Sequence, residues 1–173
     1  MKVFSSRGSA ILNIITILLV AVAMFVIFQP EYARKKMRRN FLAAVRAAEE
    51  LYNAAQTYYI AHNAWPSAAA DIHNRVDAKL ISSWEISDGK YSCELAYGRG
   101  DKPINDIRCS PVGKYATVMF YQVILSESAL NKRFCWAVKT NKEAKEMCQH
   151  IGGIFSHEVG GRAVPYAVYL IKQ

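Results

Sequence analysis

The chain has no G-x-S-x-G elbow, no G-x-x-x-x-G-K-[ST] phosphate loop, no H-E-x-x-H pair and no glycine-rich dinucleotide turn. Its acidic pairs, Glu49/Glu50 and Glu143/Glu146, fall at helical surface spacing, the pattern of a solvated face. No catalytic residue and no cofactor are therefore expected. No C-x2-C pair accompanies the four cysteines, so a zinc site drawing on His150 or His157 is disfavoured and no metal is expected. His62, His73, His150 and His157 read as surface or loop residues. The tripeptide Arg99-Gly100-Asp101 spells an adhesion motif, but one short enough to arise by chance.

Acid is almost absent from residues 1 to 40, where Glu31 stands against Lys2, Arg7, Arg34, Lys35, Lys36, Arg38 and Arg39. The net charge of +8 is thus concentrated there, because residues 41 to 173 carry 15 bases and 13 acids. No basic stripe interleaved with aromatics occurs elsewhere, which disfavours nucleic acid as a partner. A basic cluster beside an apolar run fits lipid headgroups better.

That run is Ser9 to Phe28, in which only Ser9, Asn13 and Thr16 are polar. Twenty such residues are long enough to cross a bilayer. Its 13 Leu, Ile, Val and Phe residues favour insertion by at most about −4 to −8 kcal/mol at central-position values. A cleaved secretory signal has a shorter core and a small-residue cleavage site; here Gln29-Pro30-Glu31-Tyr32 follows instead.

Glycine is missing from Glu31 to Ala61, and so is proline, while alanine, glutamate and arginine dominate. This composition predicts a helix. Phe41, Val45, Ala48, Tyr52, Ala55 and Tyr59 recur in steps of four and three, a single face suited to packing on a sheet rather than on a coiled-coil partner. Asn63 and Trp65-Pro66 end the helix, since the residue before proline is pushed out of helical geometry. From Ser9 to Ile60 the rod would be about 78 Å long.

The remainder predicts an α+β head. Residues 67 to 89 read as a loop with helical pieces at Ser67 to Ile72 and Arg75 to Leu80, broken by Asp88-Gly89. Strands are expected at Lys90 to Tyr97, Ala116 to Ile124, Arg133 to Val138 and Pro165 to Ile171. The second has two apolar faces and should be central in an antiparallel sheet covered by the long helix. A short helix follows Asn141, its N-cap, and stops at Gly152-Gly153. An even cysteine count beyond a membrane span implies disulfides on an oxidising side. Pairing Cys93 with Cys109 and Cys135 with Cys148 closes short loops and would contribute roughly 3 kcal/mol each. The two other pairings stay open at this point.

The N-terminal pattern, Met1-Lys2-Val3-Phe4-Ser5-Ser6-Arg7-Gly8, then the apolar run, Pro30 and Tyr32, resembles the class III leader and first helix of type IV pilins and type II secretion pseudopilins. Tyr58-Tyr59-Ile60-Ala61-His62-Asn63-Ala64-Trp65-Pro66 is similar to a turn found in many pilins, so the likeness covers about the first 66 residues. The Cys135/Cys148 loop is similar to their disulfide-bounded C-terminal region.

The resemblance implies a leader of residues 1–8, cut between Gly8 and Ser9 by a prepilin peptidase, with methylation of Ser9. It further implies an apolar half-helix over 9–29, an amphipathic half over 30–63 and a globular head over 64–173. Asn13, Pro30 and Tyr32 would act in assembly, with other pilin subunits, the inner membrane and the assembly platform as partners. The subunit would sit as a single-pass inner-membrane protein with a periplasmic head, then enter an extracellular or periplasmic filament. Asn13 stands where the family carries glutamate; it hydrogen-bonds but cannot neutralise a neighbouring terminal amine. That departure shifts the expected role toward a minor or tip-like pilin, or a pseudopilin.

Two alternatives and one conflict of topology are weighed against this. An unprocessed single-pass protein with a periplasmic binding domain explains the span and the cysteines but leaves Gly8, Pro30, Tyr32 and the Trp65-Pro66 turn as coincidences. A DNA-binding minor pilin requires phosphate contacts with a steep salt dependence. The positive-inside rule, comparing Lys2 and Arg7 with the five bases after the span, would put the head in the cytoplasm, opposite to what the cysteines and the resemblance require.

Overall fold

The computed structural model describes residues 6–73, 79–82, 85–87, 89–97, 104–125, 132–156 and 165–171. It is an α+β structure whose chain falls into two units, Met1–Met37 and Arg38–Gln173. The long helix α1 (Ser6–His62) supplies residues to both.

In the first unit every described side chain from Ile11 to Tyr32 is exposed. Leu12, Phe25 and Ile27 each show about two thirds of their surface. Thr16 Oγ1 donates to the Leu12 carbonyl at 2.9 Å, so this polar group in the apolar run is satisfied by its own helix. Pro30 lies inside α1 and removes the N–H that would otherwise bond the Val26 carbonyl.

The second unit is built on an antiparallel sheet. After α2 (Ala70–His73) come β1 (Lys79–Ser82), β2 (Glu85–Ser87), β3 (Tyr91–Tyr97), β4 (Ile104–Pro111), β5 (Met119–Ile124) and β6 (Lys132–Val138). The short helix α3 (Lys142–His150), β7 (Gly153–Phe155) and β8 (Tyr166–Ile171) complete it. Among the described residues the sheet has eight strands in the order β1-β2-β3-β4-β5-β6-β8-β7. β5 is interior, hydrogen-bonded to β4 and β6, as its two apolar faces predict.

The register gives β3, β4, β5, β6 and β8 one buried face. Tyr91, Cys93 and Leu95 pair with Pro111, Cys109 and Ile107, and the row through Cys109 continues to Tyr121, Cys135 and Tyr169 across the sheet. All of these are buried. Against them α1 buries Phe41, Ala44, Ala47, Ala48, Leu51, Tyr52, Ala54 and Ala55. Four of the six expected stripe residues are in this set; Val45 and Tyr59 are half-buried at its border. The seam is centred on Phe41, Ala44, Ala48, Leu51 and Ala55, all fully buried. Complete burial of Phe41 or Leu51 contributes roughly 1.5–3 kcal/mol each.

Local signals set the element ends. Asn63 takes a left-handed φ of 53°, and its N–H bonds the Tyr59 carbonyl at 2.7 Å, closing α1. Asn141 caps α3, its Oδ1 accepting from the Ala144 N–H at 2.9 Å. Gly152 (φ 86°) ends that helix, and a side chain on the next residue, Gly153, would stand 2.5 Å from the Cys148 carbonyl oxygen. Both disulfides follow sequential pairing. Cys93 and Cys109 are direct partners on β3 and β4, and Cys135 of β6 ties α3 to the sheet through Cys148.

Several expectations need correction. The strand expected from Ala116 begins at Met119, because residues 114–118 form turns in which Ala116 and Val118 donate to Gly113 and Tyr115. The helical piece expected at Ser67 to Ile72 is α2, set by the Ala68 N–H donating to Asp71 Oδ2 at 3.1 Å. Lys79 and Leu80, expected to be helical, pair with Ser87 and Ile86 in a hairpin. The rest of that expected piece, with Asp88, lies outside the described residues. Strands β1, β2, β4 and β7 were not expected at all.

Truncation of Leu51 to alanine should cost about 2–5 kcal/mol in urea denaturation with the disulfides intact. Ile60→Ala, at a position 77% exposed, should change stability by no more than about 0.5 kcal/mol. Equal effects at the two positions would overturn the assigned seam.

Candidate functional site

Two features of α1 are candidates for function: its exposed apolar stretch, and the polar contacts that fix its C-terminal part to the sheet. The first is the one helix among the described residues long and apolar enough to cross a bilayer. None of its apolar window is buried within the protein. Asn13 and Tyr32 are both exposed on this helix, and Pro30 is inside it. The backbone of Gly8 and Ser9 belongs to its first turn; residues 1–5 lie outside the described residues.

The second feature was not foreseen. Glu49, expected on a solvated face, turns toward the sheet. Arg133 donates from Nε to Glu49 Oε1 at 2.8 Å and from Nη2 to Oε2 at 3.0 Å, a two-pronged pair. The Tyr121 hydroxyl donates to Oε1 at 2.7 Å, and the Arg133 guanidinium stacks 4.6 Å from the centre of the Tyr52 ring. α1 thus presents an acid and an aromatic ring, while β5 and β6 present a phenol and a cation. Burial and then the Glu49 hydrogen bond push the Tyr121 hydroxyl well above the usual phenol range. Hydrogen bonding to Glu49 raises Arg133 further, against the opposing effect of burial.

Chemically this cluster holds charge rather than moving it. Its phenol stays protonated and its guanidinium stays charged through the physiological range, so neither exchanges protons there. It has the chemistry of a latch.

The remaining expected residues fall apart in space. His62 stacks on Tyr58 at the end of α1, its Nδ1 at hydrogen-bond distance from the Tyr58 carbonyl. His150 ends α3, exposed at the surface as expected, and hydrogen-bonds with Arg38 of α1. His73 ends α2. His157 and Arg99-Gly100-Asp101 lie outside the described residues. Among the described residues no three metal-binding side chains gather. Trp65 and Pro66 are buried, with Trp65 against the Tyr59 ring at 4.6 Å, so the aromatic turn folds back onto the helix it ends.

No family model, curated protein or solved structure matches the chain.

Removing one partner of the latch strands a mostly buried charge, since the Arg133 side chain is only 10% exposed. Glu49→Ala should destabilise by about 2–3 kcal/mol, reduced from the fully buried case because Glu49 is itself partly solvated. Replacing Glu49 and Arg133 together by methionine should recover most of that loss; additive losses would show that the pair is not coupled. A phenol whose pKa is raised by folding gives stability that is complete below its unfolded value near 10 and declines above it. Stability should therefore fall above about pH 10, with Tyr121 accounting for up to about 1.4 kcal/mol per pH unit. Tyr121→Phe should flatten that alkaline limb in denaturation midpoints measured from pH 8 to 11.

Proposed function

We propose that the chain is a structural subunit of a type IV pilus-like filament, a minor or tip-like pilin, held in the inner membrane and assembled through α1. One observation carries the reading: a single helix bears a fully exposed apolar stretch and, further along, a face buried on an antiparallel sheet. A helix that ended its task in the sheet unit would have no use for the apolar stretch. Embedded in lipid before assembly, and packed helix to helix afterwards, the same surface is covered in both states. The leader cut at Gly8-Ser9, methylation of Ser9 and the assembly roles of Asn13, Pro30 and Tyr32 belong to this reading through the sequence resemblance. Pro30 supports it physically, since the missing hydrogen bond gives α1 a point at which to loosen.

Asn13 favours a second reading within the same architecture, a pseudopilin of type II secretion. In either case the sheet unit is the part that faces outward, on the oxidising side where its two disulfides form.

Mass spectrometry of the N-terminal peptide, taken from membranes and from material sheared off the cell surface, should find a chain beginning at Ser9 in both. A chain beginning at Met1 and confined to membranes would overturn the proposal in favour of a plain anchored protein. Asn13→Glu should shift the subunit's position or abundance in the sheared fraction, and an unchanged distribution would remove Asn13 from the assembly argument.

A further inference from the structure

Between Ile11 and Phe28 the apolar stretch of α1 holds two polar side chains, Asn13 and Thr16. Thr16 is satisfied by its own helix, through the Leu12 carbonyl. Asn13 is exposed, and among the described residues nothing hydrogen-bonds its amide. If Ser9 to Phe28 fills a hydrocarbon core of about 30 Å, Asn13 lies about 6 Å inside it. Lipid offers no donor and no acceptor at that depth, so an unpaired amide is costly there. The side chain is also too short to carry its amide out to the headgroups as a lysine would.

Asn13 heads a row. Val20 and Ile27 follow it in steps of seven, and Thr16 and Ala23 stand three residues beyond Asn13 and Val20. Seven residues turn the helix to within about 20° of two full turns, so the five share one face. All five are exposed. The other faces of the stretch are wholly apolar. A seven-residue repeat with β-branched residues and one asparagine in its first position is the pattern of a parallel two-stranded pairing, in which the asparagine fixes the register. Threonine and alanine at the intervening position are small enough to let two helix backbones approach, and close packing of that kind drives association in lipid.

A carboxamide is donor and acceptor at once, so two copies at one level satisfy each other reciprocally. Copies inserted in the same direction present the row in parallel, with Asn13 beside Asn13. A partner of another sequence would have to bring its own polar group to that depth and that face. We propose that α1 pairs within the bilayer with the α1 of a second copy, parallel and level, along Asn13, Thr16, Val20, Ala23 and Ile27. This rests on the membrane-held reading of α1 given above. The pair is the stored form of the subunit, and entry into a filament parts it.

The test uses the full chain in phosphatidylcholine vesicles. The four native cysteines are joined in disulfides, so one added cysteine is the sole thiol. Val20→Cys puts it on the row, and Val22→Cys puts it about 160° away, on the opposite face. Under oxidation by copper phenanthroline, Val20→Cys should form the disulfide-linked dimer about tenfold faster than Val22→Cys, as a fixed seam requires. Adding Asn13→Val to Val20→Cys should slow that step about fivefold, the equivalent of one hydrogen bond between helices in lipid. Adding Asn13→Gln instead, which keeps an amide, should restore most of the rate. Equal rates at the two positions, or no slowing by Asn13→Val, would overturn the proposal. A charged, water-soluble thiosulfonate separates the two ways of failing. If it modifies both cysteines rapidly in the vesicles, α1 is not embedded and the membrane-held reading itself fails. If both cysteines are shielded from it and still link at equal rates, the pairing alone fails.

Discussion

Burial of one face of α1 on the sheet is the contact on which the second unit depends. Strands β3 to β6 and β8 each turn one row of side chains inward, and those rows need a cover. α1 supplies it with a buried seam rich in alanine that also contains Phe41 and Leu51. Apolar packing of this kind is strong but tolerant of sliding. Glu49 removes that tolerance, because its two oxygens must meet Arg133 and Tyr121 at once. The ion pair is a source of register more than of net stability, since desolvating two charges offsets much of their attraction.

The exposed stretch of α1 is long and apolar enough to cross a bilayer. Its described side chains from Ile11 to Tyr32 are exposed, and Thr16 within it hydrogen-bonds to the Leu12 carbonyl of its own helix.

Much of this was legible in the sequence, for identifiable reasons. A 3.6-residue period, the absence of glycine and proline, and the Asn63 to Pro66 stop defined the amphipathic part of α1. Asn141 and Gly152 bounded α3, and short loop lengths gave the disulfide pairing. Strand β4 was missed because Asp106 and Arg108 occupy its outer face, where Asp106 Oδ2 accepts from Arg108 Nε and Gln122 Nε2; the alternation reads as polar unless the sheet is known. Strands β1, β2 and β7 are too short to carry a period, and exist through pairing with neighbours. Glu49 was misjudged because periodicity locates the centre of a helix face but not its width. Glu49 sits at the border, and Arg133 and Tyr121, 84 and 72 positions away, decide which way it turns. The apolar run could be read directly, whereas Gly8, Ser9, Asn13, Pro30 and Tyr32 take their roles from resemblance and have no geometry of their own that assigns one.

The placement of the two disulfides has a mechanical consequence. One joins β3 to β4 and the other joins β6 to α3, so both brace the sheet unit from within and neither includes α1. Tension applied along the helix therefore meets covalent reinforcement only after it has worked through the alanine seam and the Glu49 latch. Under such a load that seam would be the element that yields first, leaving the braced sheet intact.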